Sequence, residues 1–199
     1  IVPFKLKEQD AYFLVWTTPP WTLISSVALC VNPDDDYVKV ESMAYKFILG
    51  KNLVSKVLGD DVKVLEEYKG KDLEYMEYEQ LIPSLKVDAK AFFVTCDSYV
   101  TMEDGTGIVH IAPAFGEDDS KVGKKYHLPY LNPVGEDGCY TDGLWKGMNV
   151  FEADLEVIKY LKANDKLFKK QKMVHNYPHC WRCGTPLLYY SKPSFYLEV

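Results

Sequence analysis

The chain lacks a matched set of cysteines, a positive net charge and long apolar runs, and each lack closes off a class of protein. Its five cysteines are odd in number, and only Cys180 and Cys183 form a close pair. With no basic, apolar, small-residue leader, they point to free thiols in a reducing cytoplasm rather than to a disulfide framework. No apolar run approaches the ~18–20 residues of a membrane span, so no membrane partner is expected. The net charge of −6, from 23 basic and 29 acidic residues, argues against a broad nucleic-acid footprint, which needs clustered positive charge. It leaves open a local grip on one RNA end by Lys121, Lys124 and Lys125, or by Lys166, Lys169, Lys170 and Lys172. Those lysines read more simply as solvated faces. There is no internal repeat and no low-complexity tract. There is also no initiator Met: the sequence opens on Ile1-Val2-Pro3, which suggests a piece of something longer.

What remains is an ordinary globular composition, 47% hydrophobic and 26% charged over 199 residues. That suffices for one good-sized domain, or a domain with a small appendage. Short apolar runs predict strands over 11–16, within 25–31, and over 37–41, 45–49, 62–65, 91–96, 108–111, 131–134, 187–190 and 194–199. Residues 37–49 read as a hairpin. Leu53, Val57 and Leu58 share one face of a short helix ended by Gly59. Residues 70–85 fit no clear pattern. Asn149, with Glu152 three residues on, is a capping box opening a helix whose stripe is Leu155, Ile158 and Leu161. Many short strands and few helices predict an α+β fold, an antiparallel, barrel-like β core with flanking helices.

The stretch Gly105–Asp119 concentrates the signals. Gly105-Thr106-Gly107 is a turn, Ile108-Val109-His110-Ile111 a buried strand, and Ala112-Pro113-Ala114-Phe115-Gly116 a break. Glu117-Asp118-Asp119 then opens a helix, where acids suit the partly positive N-terminus. His110 and Asp119 would be the polar groups of a pocket built this way. Taken singly, His110 reads more simply as a satisfied core histidine and Asp119 as a helix-start carboxylate. Thr17-Thr18-Pro19-Pro20-Trp21-Thr22 is a proline-stiffened loop. Its hydroxyls are either ordinary loop groups or a wall that holds a polar ligand without charge. Cys180-Trp181-Arg182-Cys183-Gly184 has the spacing with which two thiolates grip one zinc ion. No second pair exists, and His175 and His179 stand at no familiar spacing. The knuckle is therefore half a zinc ribbon, a complete site with unidentified ligands, or plain thiols.

Three stretches together resemble one family. Trp16-Thr-Thr-Pro-Pro-Trp-Thr-Leu23 is similar to the threonine-rich W-T-T-T-P-W-T-L segment of isoleucyl-tRNA synthetases. Gly105–Asp119 resembles their G-T-G-I-V-H-x-A-P-A-F-G-E-D-D segment. Tyr177-Pro-His-Cys-Trp-Arg-Cys-Gly-Thr-Pro186 resembles the segment where their inserted domain returns to the catalytic body. The wording of the last two resembles the eukaryote-like branch.

The resemblance implies the editing (connective polypeptide 1) domain over residues 1–176 and a return segment carrying a half zinc ribbon over 177–199. It implies a monomeric, cytoplasmic deacylase acting on valine attached to isoleucine tRNA, and on valyl-adenylate. Its partners would be the tRNA(Ile) 3′ end and the rest of the synthetase body. The family's H-I-G-H and K-M-S-K-S type segments are absent, so ATP and Mg belong to the full-length catalytic domain. Zinc would be held by Cys180 and Cys183 with outside ligands, and editing itself would need no cofactor. Asp119 would bind the α-ammonium. Thr17, Thr18, Pro19 and Thr22 would line the amino-acid and ribose pocket. His110 would shape it against isoleucine. Catalysis would fall to Asp119, His110 and Thr22 by orientation of a water. Pro19 replaces a family threonine, removing a hydroxyl and an N–H. A tRNA-docking module without chemistry, or an insertion kept for structure, are the competing readings.

Overall fold

The computed structural model describes residues 1–171, 178–192 and 194–195. Two sheets and a few helices form an α+β fold. The five-stranded sheet has the order β1 (Val2–Lys5), β2 (Tyr12–Val15), β5 (Tyr45–Gly50), β4 (Asp36–Ser42), β6 (Lys63–Lys69). The three-stranded sheet places β3 (Ala28–Val31) between β7 (Phe93–Cys96) and β8 (Ile108–Ile111). The helices are α1 (Val54–Leu58), α2 (Gly70–Leu73), α3 (Glu117–Tyr126) and α4 (Val150–Ala163). The sheets are mixed: β2 runs parallel to β5 and β3 parallel to β7, while the other pairs are antiparallel. The described strands do not close into a barrel.

β3 explains its own sequence. All four of its residues are buried, and successive side chains point to opposite faces. Leu29 and Val31 enter one hydrophobic cluster, Ala28 and Cys30 another. A strand buried on both faces reads as a continuous apolar run. It positions β8, whose His110 stands opposite Leu29.

The two sheets meet where β2 ends. The Trp16 N–H leaves the five-stranded sheet and donates to Thr106 Oγ1 (3.1 Å) and to the Ile108 carbonyl (3.3 Å). Trp16 bridges Val109 in parallel. The glycines make this approach possible. Gly105 has φ +73°, and a Cβ there would lie 3.0 Å from the Trp16 side chain. Gly107, also at φ +73°, offers its carbonyl to the buried Tyr37 hydroxyl (2.8 Å). The G-T-G turn thus brings β8 beside the end of β2.

Several expectations need correction. Residues 131–134 form no strand; Val134 makes an isolated bridge to Tyr140. Residues 187–190 are irregular and partly exposed, without strand pairing among the described residues. The strand expected over 194–199 falls largely on residues 196–199, and His175 and Lys172 lie in 172–177, all outside the described residues. Of the stretch 17–22 read as a rigid loop, residues 20–22 instead open a 3-10 helix, Pro20–Ser25, that starts on Pro20, a position where a missing N–H costs nothing. α4 exists and is capped by Asn149, whose Oδ1 accepts from Phe151 N–H (3.1 Å). Its buried face is Val150, Ala153, Val157 and Leu161, with Leu155 60% exposed. No helix of the described residues is long and apolar enough to cross a membrane.

Candidate functional site

Three segments distant in sequence converge on one opening. The first leaves β2 at Trp16 and passes through Thr17, Thr18 and Pro19, with a cis bond between the last two, into the 3-10 helix. The second is β8 with His110. The third is the loop after β8 together with the first turn of α3. They line a cavity of about 170 Å³. Its walls are Thr17, Thr18, Pro19, Thr22, His110 and Asp119, completed by Trp16, Val109, Ala112 and Phe115. All six pocket residues expected from the sequence therefore surround the same hole. Cys180 and Cys183 do not line it.

Asp119 sits in the first turn of α3, after Glu117 and Asp118. Its Oδ1 accepts from Ala112 N–H at 2.7 Å, which ties the helix start back to the end of β8. Burial pushes its carboxyl above the ordinary value, against the pull of that backbone bond. Among the described residues, no ion pair is recorded to Asp119. Gly116 makes room for it, since a Cβ there would fall 2.2 Å from Oδ2. Gly116→Ala should therefore turn the carboxylate away while sparing the fold, because a side-chain end is what must yield. The expected outcome is a ligand-binding or catalytic defect with a melting temperature within a few degrees of the parent, read by thermal melting beside the activity assay.

The His110 and Thr22 pair has defined donors. The Thr22 hydroxyl donates to the Pro19 carbonyl (3.0 Å) and lies 3.3 Å from His110 Nε2. With its proton spent on Pro19, the Thr22 oxygen accepts, so Nε2 carries the ring proton. Nδ1 then presents a lone pair, sealed from solvent and without a partner among the described residues; the Thr17 hydroxyl is likewise sealed and unpartnered among them. Such an atom costs about 1–3 kcal/mol until something polar reaches it. Both belong to residues that line the cavity.

Burial lowers the His110 pKa to about 4. The ring is therefore neutral at physiological pH and is no proton acceptor tuned to pH 7. The sign follows from linkage. The unfolded chain binds a proton near pH 6.5 and the folded one only near 4. The stability from burying a neutral ring is thus present above about pH 6.5 and lost as pH falls through 6.5 towards 4. An NMR titration should show no His110 transition between pH 5 and 8. In denaturant unfolding, His110→Gln should lose less stability than the parent between pH 7 and pH 4.5.

The knuckle is well formed. Cys180 N–H donates to the Thr185 carbonyl (2.8 Å) and Gly184 N–H to the Cys180 carbonyl (2.9 Å). Cys183 Sγ lies 3.0 Å from Thr185 Oγ1, and that hydroxyl is the main cause that lowers the exposed thiol to about 7. Two soft thiolates suit half of a tetrahedral zinc site. Among the described residues, no cluster of three or more His, Cys, Asp or Glu groups could hold a metal. Cys180 and Cys183 thus remain, among the described residues, a pair of candidate ligands without the further groups of a complete site.

Three of the clustered lysines are committed to partners within the fold. Lys121 pairs with Glu117 (3.0 Å) and Asp118 (3.1 Å). Lys125 donates to the Cys96 carbonyl (2.8 Å) and Lys166 to that of Leu81 (2.6 Å). Lys169 and Lys170 instead line a second cavity of about 450 Å³, which shares Trp16, Thr17 and Thr18 with the first.

Sequence reasoning missed Trp16, Val109, Ala112, Phe115 and Gly116 as parts of the site. The signal was present for two of them. Phe115-Gly116 breaks the pattern between strand and helix, where a backbone must bend around something. For Trp16 there was none, because a strand-end tryptophan reads as core.

No protein-family model matches the chain. Over its whole length it is similar to isoleucine–tRNA ligase of Clostridium novyi, at 51% identity. Similar matches are to isoleucine–tRNA ligases of Picrophilus torridus (49% over 96% of the chain) and Pyrococcus furiosus (44% over 99%). The chain spans about a fifth of the length of these relatives, 19% for the first two and 20% for the third. Among solved structures, GlLeuRS-CP1 superposes with a TM-score of 0.66 at 16% identity, covering 85% of this chain and 87% of that one. The P. falciparum cytosolic leucyl-tRNA synthetase editing domain gives 0.64 at 15% identity, covering 81% and 80%. These structural likenesses carry the fold.

Proposed function

We propose that this chain, homologous from end to end to a segment of the isoleucine–tRNA ligases, is their hydrolytic editing unit: it removes valine wrongly attached to isoleucine tRNA. The observation that carries the reading is the convergence of Asp119, His110, Thr22 and the Thr17–Pro19 wall on one small cavity. Such a unit answers a physical need. A synthetic site shaped for isoleucine must also admit valine, one methylene smaller. That difference is worth about 1–3 kcal/mol, a magnitude already established for this family rather than supplied by the structure. A second site reverses the problem by admitting valine and excluding isoleucine.

The Asp119 carboxylate anchors the α-ammonium of the valyl group. A charge-assisted bond in a partly desolvated pocket fixes orientation as well as affinity. The Thr17 and Thr18 hydroxyls face the ester and ribose, and Pro19 supplies an apolar contact. His110 and Thr22 form the opposite wall. A positioned water attacks the ester carbonyl: its oxygen bonds to that carbon, the carbon–ribose oxygen bond breaks, and a proton passes to the ribose oxygen. The terminal ribose hydroxyl assists. Neutral His110 shapes and orients rather than taking the proton, so positioning supplies the rate. Valyl-adenylate is a second substrate of the same pocket. Residues 1–176 form the editing unit and 177–199 the return segment, whose two thiols take zinc with ligands from beyond the described residues. ATP, Mg and the remaining tRNA contacts belong to the rest of the ligase.

The test is deacylation of valyl- and isoleucyl-tRNA(Ile) side by side. Selective release of valine is expected. Binding of tRNA without release would favour a docking module, and neither would leave a structural insertion.

A further inference from the structure

The 3-10 helix Pro20–Ser25 carries Thr22, yet nothing within its own segment caps its start. Pro19 at the N-cap makes no side-chain cap bond, and the first N–H groups of such a helix have no internal partner. The structure fills this need from elsewhere in the chain. Trp21 N–H donates to Asp154 Oδ1 of α4 at 2.9 Å. The Trp21 carbonyl accepts from the Tyr140 hydroxyl at 2.5 Å. Both backbone polar groups of Trp21, in the two successive peptide units that flank its Cα, are therefore gripped, by residues 133 and 119 positions away. Tyr140 is 2% exposed. The indole of Trp21 meets Phe115, a pocket wall, edge-on at 4.9 Å between ring centres.

We infer that Asp154, with Tyr140, is a positioning residue for the hydrolytic site: it holds the Trp21 peptide so that Thr22 and His110 keep their mutual geometry. The chain of contacts is continuous. α4 holds Trp21; Trp21 fixes the next residue, Thr22; the Thr22 hydroxyl, spent on the Pro19 carbonyl, accepts from His110 Nε2 and so sets the ring tautomer. A carboxylate suits the task because an ionised acceptor makes the stronger bond to a backbone N–H. The inference rests on the hydrolytic reading for its kinetic consequences, while the clamp itself is readable without any substrate.

Asp154→Ala should lower kcat for valyl-tRNA hydrolysis by about 10- to 100-fold, the range that misplacement of a positioning group commands. KM should stay within about twofold, since Asp119, the proposed ammonium anchor, is untouched. Asp154→Asn, which keeps an acceptor oxygen, should restore most of the loss. Val157→Ala, on the buried face of the same helix, serves as the control for simple destabilisation. The ¹⁵N signals of His110 should report one protonated Nε2 in the parent and in Asp154→Asn, and a tautomer mixture in Asp154→Ala. Unchanged kcat in Asp154→Ala, or a loss that Val157→Ala matches and Asn does not rescue, overturns the inference. If the parent releases no valine, the hydrolytic reading fails, and the ¹⁵N comparison alone decides the clamp.

Discussion

Asp119→Ala should abolish release of valine from mischarged tRNA, lowering kcat/KM by at least about 100-fold. The size follows from the environment. Removing one partner of a buried ion pair costs about 3–5 kcal/mol, because the other charge is left unpaired, and each 1.4 kcal/mol is tenfold. Here the orphan would be the substrate's ammonium. Asp119→Asn separates the two tasks of the side chain. It keeps an oxygen for the Ala112 N–H but loses the charge, so it too should be inactive. An Asn variant with parental kcat/KM would refute the anchoring role.

Stability should move the other way. Burial raises the Asp119 pKa in the folded state. A raised acid makes the fold bind its proton more tightly than the unfolded chain does. Its contribution therefore favours folding at low pH and is lost as pH rises above the usual carboxylate range. At pH 7 the ionised group works against the fold, and Asp119→Asn should melt at the same or a higher temperature. Strain of this kind is expected where a site holds a charge ready for a partner that arrives later. A variant that is dead and at least as stable would distinguish an anchor from a mere helix-start acid.

The parts of this site that were legible in the sequence are those where local chemistry and tertiary use agree. β3 is apolar because both its faces are covered. The first turn of α3 is acidic because a helix start favours it, and Asp119 is useful for the same reason. Gly105 and Gly107 mark a turn, and the positive φ of each shows why. The illegible parts are those where several local patterns are compatible with one sequence. Val2-Pro3-Phe4-Lys5 gave no strand signal because proline discourages ladders. Yet β1 is the edge of its sheet, where a missing N–H is tolerated. On α4, two stripes share Leu161. The one that won has Ala153 and Val157, small enough for the 3-10 helix to pack against it; helical periodicity cannot weigh that. Residues 187–190 are apolar enough for a strand, but pairing requires a neighbour that no local pattern names. The Trp21 clamp was invisible for the same reason, since Asp154 and Tyr140 reach it across more than a hundred residues.

His110→Ala should convert the site from one that spares isoleucine to one that cleaves it. The ring stands on β8 against the Thr22 hydroxyl, and Val109 and Ala112 flank it on the cavity wall. Both flanking walls are main-chain anchored, so they have little freedom to collapse into the space an alanine leaves. The cavity of about 170 Å³ would then gain more than the one methylene that separates the two amino acids. A pocket discriminates against a larger ligand by overlap, and overlap is relieved all at once when the obstructing group is removed. Preference for valyl- over isoleucyl-tRNA should fall by about 10- to 200-fold, the range one methylene can command. The Asp119 carboxylate, the proposed anchor, persists, so hydrolysis of valyl-tRNA should drop far less than in Asp119→Ala. Initial rates on the two charged tRNAs give the ratio. An unchanged ratio would remove His110 from the specificity wall and leave exclusion to Thr22 and Phe115. Acid titration offers a second handle on the same wall. Because the half-buried ring stays neutral down to about pH 4, the parent's discrimination should be flat from pH 6 to 8, which a histidine titrating near the ordinary ~6.5 could not achieve.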